Sequence, residues 1–470
     1  MTLVNGNGSE SAAPSGAAPA GGGRDAAPRG VAGLPPGFLR DVARRAAAGG
    51  IDLGRARFTA RGVAPSLIDA VAPAFADDLA DRNLADLQTI LGLPADAGGE
   101  DGHLATAIPC PYRFEHDGVV ALDQRRFPGA VIEVTCQSAT AVATAIRDGL
   151  VQGAGSIAAF GSHGLACSVA LWAGREEAED GAWESHLAAV ATTAQLLEAV
   201  ESDAALIGDA APWVAPLRSA LDRMVALART WAAKHANPTS SASADLADAL
   251  RAEANLIAAE ELVRLVQVVA AGLDLLRVQA AELGPRKRLR VLVHGPVGGL
   301  AFGPLGTAAS ALHAAVGVGL PVHVWVAQGR APLIGVRTAW ELAQSGVGHG
   351  VVPDSSVAGL VGSHKVDIVL LGALGVTSTG AVLDEPGAYG IADAAARGSI
   401  PVYVFAPGST MMEWHEARRA EDFDVTPAEV VSGFVTEAGI LRPPFEQSLA
   451  PLAIHRPLGD MAASARDPAS

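Results

Sequence analysis

The sequence predicts an α/β protein whose C-terminal half contains a mainly parallel sheet. Between residues 288 and 406, short runs that are apolar through their middle alternate with helix-like runs, and each apolar run ends in a turn with Gly or Pro. This alternation is typical of βαβ units, because parallel strands need a crossover and the crossing helices cover both faces of the sheet. The predicted strands are Arg290–His294, Pro321–Val326, Val366–Leu371 and Pro401–Phe405.

Candidate ligand-binding residues follow these strands, because ligands on a parallel sheet bind beyond the carboxyl ends of its strands. Gly298 and Gly299 begin a helix-like run whose free N–H groups can bind an anion, and a tight packing turn is the alternative. His294 is a candidate proton carrier or, alternatively, a hydrogen-bonded histidine at the end of a strand. Further candidates are Gln328, Arg330 and Asp354, with an interdomain salt bridge as the alternative for Arg330.

Length and charge narrow the range of partners. A chain of 470 residues is long enough for two domains and a tail. Its formal net charge of −16 predicts that nucleic acid is not a partner, because an acidic surface repels a phosphate backbone. A small-molecule ligand is therefore expected, and the sequence gives no reason to expect a metal or a cofactor.

Cysteine usage and hydropathy predict a cytoplasmic protein. The 3 cysteines, Cys110, Cys136 and Cys167, are an odd number without metal-ligand spacing, which favours a reducing compartment over a disulfide framework. No apolar run reaches the roughly 20 residues of a membrane span, so no membrane partner is expected. Residues 1–25 lack the compact apolar core of a signal peptide.

Composition and periodicity divide the chain into five predicted segments. Residues 1–33 consist mostly of Gly, Ala, Ser and Pro and are predicted to be disordered, because they have too little apolar surface to form a core. The segments that follow are a helical extension at 34–110, an N-terminal helical domain at 111–245, the sheet domain at 246–455 and a loose tail at 456–470.

The helical domain is predicted to include a small β-hairpin, formed by Val119–Leu122 and Ala130–Thr135. Ser138 is a predicted N-cap for a helix at Ser138–Val151. Thr426, followed by Pro and Glu, predicts a further helix start near the C-terminus. The other predicted helices lie at 36–48, 65–80, 84–93, 157–173, 183–202, 214–235 and 246–281.

A set of motifs between residues 112 and 446 carries a family resemblance. They are Leu122–Pro128, Ala145–Gly149 running into Gln152–Ala154, Ala220–Met224, Gly306–Ala308, Thr338–Leu342, Val366–Asp367 with Gly372–Ala373, and Asp422–Glu429 through Arg442–Phe445. In this order they resemble the methylthioribose-1-phosphate isomerases and their relatives, the ribose-1,5-bisphosphate isomerases and the regulatory subunits of a translation-initiation exchange factor. The resemblance implies a helical N-terminal domain, a Rossmann-like C-terminal domain and a homodimer.

The resemblance also implies that the catalytic groups of the isomerases are absent. The isomerases carry a catalytic Cys where this chain has Gly295, and an acid–base Asp where it has Leu374. Moving a proton between adjacent carbons needs groups that can take it and return it, and neither Gly nor Leu can. Gly295 and Leu374 remain candidate substrate-binding residues.

The residues that hold the substrate phosphate in the family differ as well. By resemblance, Gln152 and Ala211 stand in place of two arginines, and Asp384 and Glu385 in place of an Asn–Lys pair. Counting Arg, Arg and Lys to Gln, Ala and Glu, these changes lower the local charge by about four units relative to the family. Like charges a few Å apart cost several kcal/mol in a closed pocket. A phosphate dianion is therefore disfavoured at Gln152 and its neighbour Gly153, which stay candidate substrate-binding residues.

Candidate replacement proton carriers are His294, His163, Asp384 and Glu385, and His163 is included because it could point into the same cleft. A solvated acidic loop is the alternative for the 384–385 pair. The favoured hypothesis is an isomerase scaffold that binds or transforms a different small molecule, in specialised metabolism. An active aldose–ketose isomerase of methionine salvage and a non-catalytic regulatory subunit are the alternatives.

Overall fold

The computed structural model describes residues 31–35, 37–53, 81, 83–88, 108–115, 118–172, 192–235, 240–284, 287–330, 334–412 and 423–453. These residues form a mixed α/β fold, with a helical N-terminal half and a C-terminal half built on a mainly parallel sheet. The predicted fold class is thereby confirmed. The predicted helix at 65–80, the first part of that at 183–202, residues 1–30 and residues 456–470 lie outside the described residues.

Helices form most of the N-terminal half and cover the sheet in the C-terminal half. The side chain of Ser138 accepts the N–H of Ala141 at 3.3 Å, which confirms it as an N-cap. The described helices, in chain order, are α1 (Phe38–Ala48), α2 (Ala139–Arg147), α3 (Ala154–Trp172), α4 (Thr193–Ala210), α5 (Ala215–Ala232), α6 (Ser240–Leu283), α7 (Gly299–Phe302), α8 (Ala308–Gly317), α9 (Ile334–Gln344), α10 (Val357–Gly362), α11 (Ala388–Arg397) and α12 (Phe445–Ser448).

The described strands belong to three sheets. They are β1 (Tyr112–Phe114), β2 (Val119–Leu122), β3 (Glu133–Cys136), β4 (Leu289–His294), β5 (Val322–Ala327), β6 (His349–Val352), β7 (Ile368–Leu371), β8 (Gly375–Thr377), β9 (Val382–Asp384), β10 (Val402–Phe405), β11 (Met411–Met412), β12 (Asp424–Thr426), β13 (Gly433–Thr436) and β14 (Gly439–Leu441). The main sheet has 7 strands in the order β14-β13-β10-β7-β4-β5-β6, and β14 is its antiparallel member. A 3-stranded sheet, β1-β2-β3, precedes it in the chain. The strands of a 4-stranded sheet, β11-β8-β9-β12, lie between strands of the main sheet along the chain.

The strands of the main sheet that the sequence predicted are present, whereas the helix predicted to begin at Thr426 is not. All four predicted sheet strands are present as β4, β5, β7 and β10, and β2 pairs with β3 as an antiparallel hairpin. The predicted helix start at Thr426 is wrong, because Thr426 ends strand β12 and only a 3-10 turn, Ala428–Val430, follows. Strand β12 has only 3 residues, which is too short for a periodic pattern to reveal it.

Helix α6 has 44 residues and joins the two halves. It packs on α3 and α5 in the helical half and on α8 and β13 in the sheet half. The predicted domain boundary at residue 246 falls inside this helix. Its Gly272 faces the sheet, where a Cβ would lie 2.5 Å from the ring of Phe405 and 2.9 Å from the Cβ of Ala311.

One described helical segment is long and apolar enough to cross a membrane. This segment, Ala154–Leu171 in α3, is completely buried inside the protein. A helix that is apolar on all sides and enclosed by other elements is typical of a protein core.

The close packing at Gly272 generates the first prediction. We expect Gly272→Ala to lower the free energy of unfolding by about 1–2 kcal/mol, because overpacking a core costs more than the gain in helix propensity returns. Gly359→Ala is the matched control, since Gly359 lies in α10 with nothing within 4 Å of its Cβ position. Urea unfolding of both variants measures the difference, and equal stabilities would contradict the packing argument.

Candidate functional site

A narrow cleft lies where the helical half meets the segments that follow β4 and β7. The predicted site residues that line it are Gln152, Gly153, Gly298, Leu374 and Glu385. Gln124, Arg337 and Glu341 also line it, although the sequence did not assign them to the site.

The two halves are joined at this cleft through the carbonyl oxygen of Leu300. That oxygen accepts hydrogen bonds from Gln124 Nε2 at 2.9 Å and from Ser156 Oγ at 3.1 Å. Gly153 has a φ of +90°, and a Cβ there would overlap the backbone of Ala301. Glycine is therefore required at residue 153 for close approach of the two halves as well as for backbone conformation.

Arg337 extends from α9 into the cleft and holds one wall of it. Its Nη1 donates to the carbonyl oxygen of Gln124 at 2.9 Å, and its Nη2 donates to Gln152 Oε1 at 2.7 Å. Burial lowers the pKa of this guanidinium to about 10, against the opposing effect of Glu341 and Glu385. Arg337 is therefore still a cation at neutral pH, and it fixes the predicted site residue Gln152.

The anion site predicted at Gly298 and Gly299 is already occupied by a side chain of the protein. Glu341 Oε2 accepts the N–H of Gly299 at 2.7 Å, and its Oε1 accepts the N–H of Leu300 at 3.2 Å. A Cβ on Gly298 would overlap the same carboxylate. The N–H of Gly299 is therefore not available to a ligand anion, whereas Gly298 lines the cleft.

Helix α1 brings Arg45 to the far side of this turn. The buried guanidinium lies 2.7 Å from the position of a Cβ on Gly299, and its Nε and Nη2 have no hydrogen-bond partner. Burial lowers the pKa of Arg45, and the nearby Glu341 carboxylate raises it. The N-terminal helix thus supplies a cation that favours the ionised form of Glu341.

Gly295 and Asp384 share one space at the carboxyl end of β4. Gly295 has a φ of +83°, and a Cβ there would lie 2.8 Å from Asp384 Oδ2 and 2.9 Å from Oδ1. Asp384 Oδ1 accepts the N–H of Glu385 at 2.8 Å, whereas the buried Oδ2 has no partner. Burial, with the nearby Glu385 and Asp424, raises the pKa of the Asp384 carboxyl well above its ordinary value. This carboxyl is therefore favoured in its neutral form.

His294 is buried beside the same turn. Its Nε2 lies 3.5 Å from the carbonyl oxygen of Glu385, and its Nδ1 is buried without a partner. Burial lowers the pKa of His294, and the carboxylates of Asp354 and Asp424 oppose this shift. Asp354 is partly buried and accepts the N–H of Gly329 at 3.0 Å, so its first role is to hold that turn.

Gln328 and Arg330 lie at the exposed rim that follows β5. The backbone N–H of Gln328 donates to the carbonyl oxygen of Val352 at 2.9 Å, which continues the pairing of β5 with β6. Arg330 acts electrostatically on Glu385 and lowers its pKa. Arg330 is therefore within electrostatic reach of the cleft, whereas Gln328 does not line it.

His163 does not belong to this cleft, so the prediction that it points there is wrong. It lines a separate cavity with Cys167 and Arg251, stacks on the ring of Phe114 and has its Nδ1 3.0 Å from the carbonyl oxygen of Ala159. Burial lowers the pKa of His163 to about 3. Residue 163 lies midway along α3, whereas only the N-terminal end of that helix reaches the cleft. The hydrophobic periodicity of the sequence could not show which cavity residue 163 lines.

The three cysteines all lie in the described part of the chain, and none of them lines the cleft. Cys110 lies against Gly49 at the end of α1, and Cys136 ends the edge strand β3. Burial raises the pKa of each of these two thiols to about 11, so neither is an activated thiolate. The polar groups suited to proton transfer near the cleft are therefore the Asp384 carboxyl and the His294 imidazole.

The contact between residues 295 and 384 generates a prediction for stability. We expect Gly295→Ala to cost more free energy of unfolding than Gly319→Ala, because both have a positive φ but only Gly295 has a carboxyl group at its Cβ position. Adding Asp384→Ala should recover part of the loss, with a coupling on the order of 1 kcal/mol. Chemical denaturation of the single and double variants measures this, and strictly additive losses would show that the two positions are independent.

The raised pKa of Asp384 generates a prediction for pH dependence. Above its ordinary pKa of 3.8 the unfolded chain loses the Asp384 proton, whereas the folded protein keeps it until its own higher pKa is reached. Wild-type stability should therefore fall over this range relative to that of Asp384→Asn, which has no proton to lose. Thermal unfolding from pH 4 to pH 7 measures the difference, and a constant difference would mean that Asp384 is ionised when folded.

Comparison with known proteins agrees with this architecture. The profile of the initiation factor 2 subunit family matches residues 182–421. Methylthioribose-1-phosphate isomerase of Chloroflexus aurantiacus is 32% identical over 365 residues, which cover 72% of this chain and 96% of the relative. The enzyme of the same name from Heliobacterium modesticaldum is 30% identical over 373 residues, covering 73% and 98%.

Two solved structures share the fold. The crystal structure of 5-methylthioribose 1-phosphate isomerase from Pyrococcus horikoshii superposes with a TM-score of 0.58 at 24% identity, over 74% of this chain and 96% of that one. The delta subunit of translation initiation factor eIF-2B from A. fulgidus superposes with a TM-score of 0.54 at 24% identity, over 73% and 98%. The chain therefore belongs to the initiation factor 2 subunit family and is a homologue of the methylthioribose-1-phosphate isomerases.

Proposed function

We propose that this chain keeps the scaffold of its isomerase relatives but binds or transforms a different small molecule, one without a 1-phosphate, in specialised metabolism. The proposal depends on the positions where the resemblance implies the catalytic groups of the relatives. Gly295 and Leu374 occupy those positions here, and neither side chain can carry a proton.

The observation that carries the proposal is the position of the Asp384 carboxyl group. It fills the space that a side chain on residue 295 would occupy, at 2.8 and 2.9 Å from the Cβ position. A side chain at residue 295 would therefore require the Asp384 carboxyl group to move. The end of β4 therefore presents a carboxylic acid where the relatives are expected to present a cysteine.

The charges of the cleft support a ligand without a phosphate dianion. Gln152, which stands in place of an arginine by resemblance, is neutral and hydrogen-bonded to Arg337. Two acidic residues, Glu341 and Glu385, line the cleft against one basic residue, Arg337. A further anion about 4 Å from a carboxylate would cost about 4 kcal/mol at an effective dielectric constant of 20.

The chemistry available beside the cleft is proton transfer by Asp384 and His294, which are buried and are not among its lining residues. Asp384 is favoured as a neutral acid, and its Oδ2 has no partner in the protein. His294 is favoured as a neutral imidazole, and its Nδ1 is also without a partner. Buried polar atoms without partners are uncommon and costly, which favours a role for both atoms in the function of the site.

An active isomerase of methionine salvage is the alternative that the sequence similarity favours. Such an enzyme would need a thiol and a carboxylate that face one cavity. None of the chain's three cysteines lines the cleft, so the geometry favours the repurposed site instead. A homodimer and a cytoplasmic location remain parts of our proposal, as the resemblance and the composition imply.

The proposal is tested by incubating the purified full-length chain with methylthioribose 1-phosphate and following formation of the ketose by proton NMR. We expect a rate at least about 10³-fold below that of the Chloroflexus aurantiacus relative measured in parallel, because general acid–base groups contribute about 10²–10⁴ in rate. A rate within about tenfold of the relative, in a preparation that unfolds cooperatively, would overturn the proposal in favour of the isomerase.

A further inference from the structure

A second cavity, of about 180 Å³, lies in the helical half of the protein. It is bounded by the segment after α1, the hairpin of β1 and β2, and helices α3 and α6. None of the described residues lines both this cavity and the cleft. A molecule bound here would therefore be a second ligand of the protein.

Hydrogen bonds fix the walls of this cavity before any ligand binds. Asn255 of α6 donates from Nδ2 to the carbonyl oxygen of Asp52 at 2.7 Å, and its Oδ1 accepts the N–H of Asp52 at 3.0 Å. The N–H of Phe114 donates to the carbonyl oxygen of Gly49 at 3.2 Å. The cavity is thus preformed, as most small-molecule sites are.

His163 lines the cavity and offers it a hydrogen-bond acceptor. The residue is only 5% exposed, and its Nδ1 lies 3.0 Å from the carbonyl oxygen of Ala159. A carbonyl oxygen only accepts, so Nδ1 carries the proton, and the Nε2 of the neutral ring has a lone pair and no proton. Burial lowers the pKa of His163 to about 3, which keeps the ring neutral at physiological pH. Within the described part of the chain, Nε2 has no hydrogen-bond partner.

Aromatic stacking fixes the orientation of this ring. Phe114 stacks on the imidazole of His163 and also on the ring of Tyr112. The stack covers one face of the imidazole, and the hydrogen bond from Nδ1 prevents the ring from turning in its own plane. The direction of the Nε2 lone pair is therefore determined by the protein.

The charges and the size of the cavity narrow the class of ligand. One acidic residue, Glu115, and one basic residue, Arg251, line it, so it favours neither sign of charge. Both lie where the cavity meets solvent, because Glu115 is exposed and Arg251 is half-buried. An apolar cavity of about 150 Å³ in an engineered protein holds benzene. This cavity therefore has room for one six-membered ring with a small substituent.

We propose that this cavity is a second ligand site, which binds a small uncharged ring molecule that donates an O–H or N–H hydrogen bond to His163 Nε2. The donor is required because Nε2 only accepts hydrogen bonds. The inference goes beyond the proposed function and does not depend on it, since the two sites are separate. Failure of either one leaves the other standing.

The test uses phenol and toluene as probes, because the two rings are similar in size and only phenol has a donor. In isothermal titration of the full-length chain at pH 7, we expect phenol to bind with an association constant about fivefold above that of toluene, as one net hydrogen bond gives. His163→Phe keeps a ring beside Phe114 but has no acceptor, so this preference should disappear. Cys167→Leu adds volume inside the cavity and should weaken the binding of both probes at least about tenfold.

His349→Phe is the matched control. The Nδ1 of His349 also lies near a carbonyl oxygen, that of Val347 at 2.7 Å, but His349 belongs to β6 and does not line the cavity. It should bind both probes as the wild type does. A wild type that does not bind phenol, as a cavity filled only by water would behave, would overturn the proposal. Equal affinities for phenol and toluene would do the same, as would unchanged phenol binding in either folded cavity variant.

Discussion

The carbonyl oxygen of Leu300 is the point on which the geometry of the cleft depends. It accepts hydrogen bonds from Gln124 and Ser156, which belong to the helical half, while Leu300 itself belongs to the turn after β4. The same turn is held from the other side by Glu341, which accepts the N–H of Leu300. A buried carbonyl oxygen that lost both donors would cost about 1–3 kcal/mol. These bonds therefore fix the distance between the two walls that line the ligand space.

Charged groups are concentrated around this turn to a degree that stability alone does not explain. Arg45, Arg337 and Glu341 are all buried there, and replacing buried ions with apolar residues often stabilises a protein. Arg45 keeps two nitrogen atoms without partners, and Asp384 keeps one oxygen atom without a partner. Perturbed and unsatisfied ionisable groups cluster at functional sites more often than elsewhere. The arrangement thus favours a working site over a remnant of one.

Features that depend on neighbouring residues in the chain were predicted from the sequence, whereas features that depend on distant residues were not. The strands β4, β5, β7 and β10 were predicted correctly, because each is a local apolar run bounded by turn residues. The residues after those strands were predicted to lie together, because the carboxyl ends of parallel strands meet at one edge of the sheet. The family resemblance predicted that Asp384 and Glu385 belong to the site, and Glu385 lines the cleft.

The features that the sequence did not predict depend on contacts between distant residues. Glu341 lies within a helix that looks ordinary in the sequence, and only the fold brings its carboxylate to the N–H groups of Gly299 and Leu300. Arg45 lies in a segment to which the sequence assigned no role. His163 was misplaced because α3 is 19 residues long and residues in its middle line a different cavity.

The continuity of α6 restricts how a ligand can enter. A helix of 44 residues is about 66 Å long, at about 1.5 Å per residue, and it packs against both halves of the protein. The two halves cannot separate by a hinge motion unless this helix bends or loses its packing. Exchange of a ligand with solvent must then proceed by displacements smaller than a separation of the two halves, which favours compact molecules over large ones.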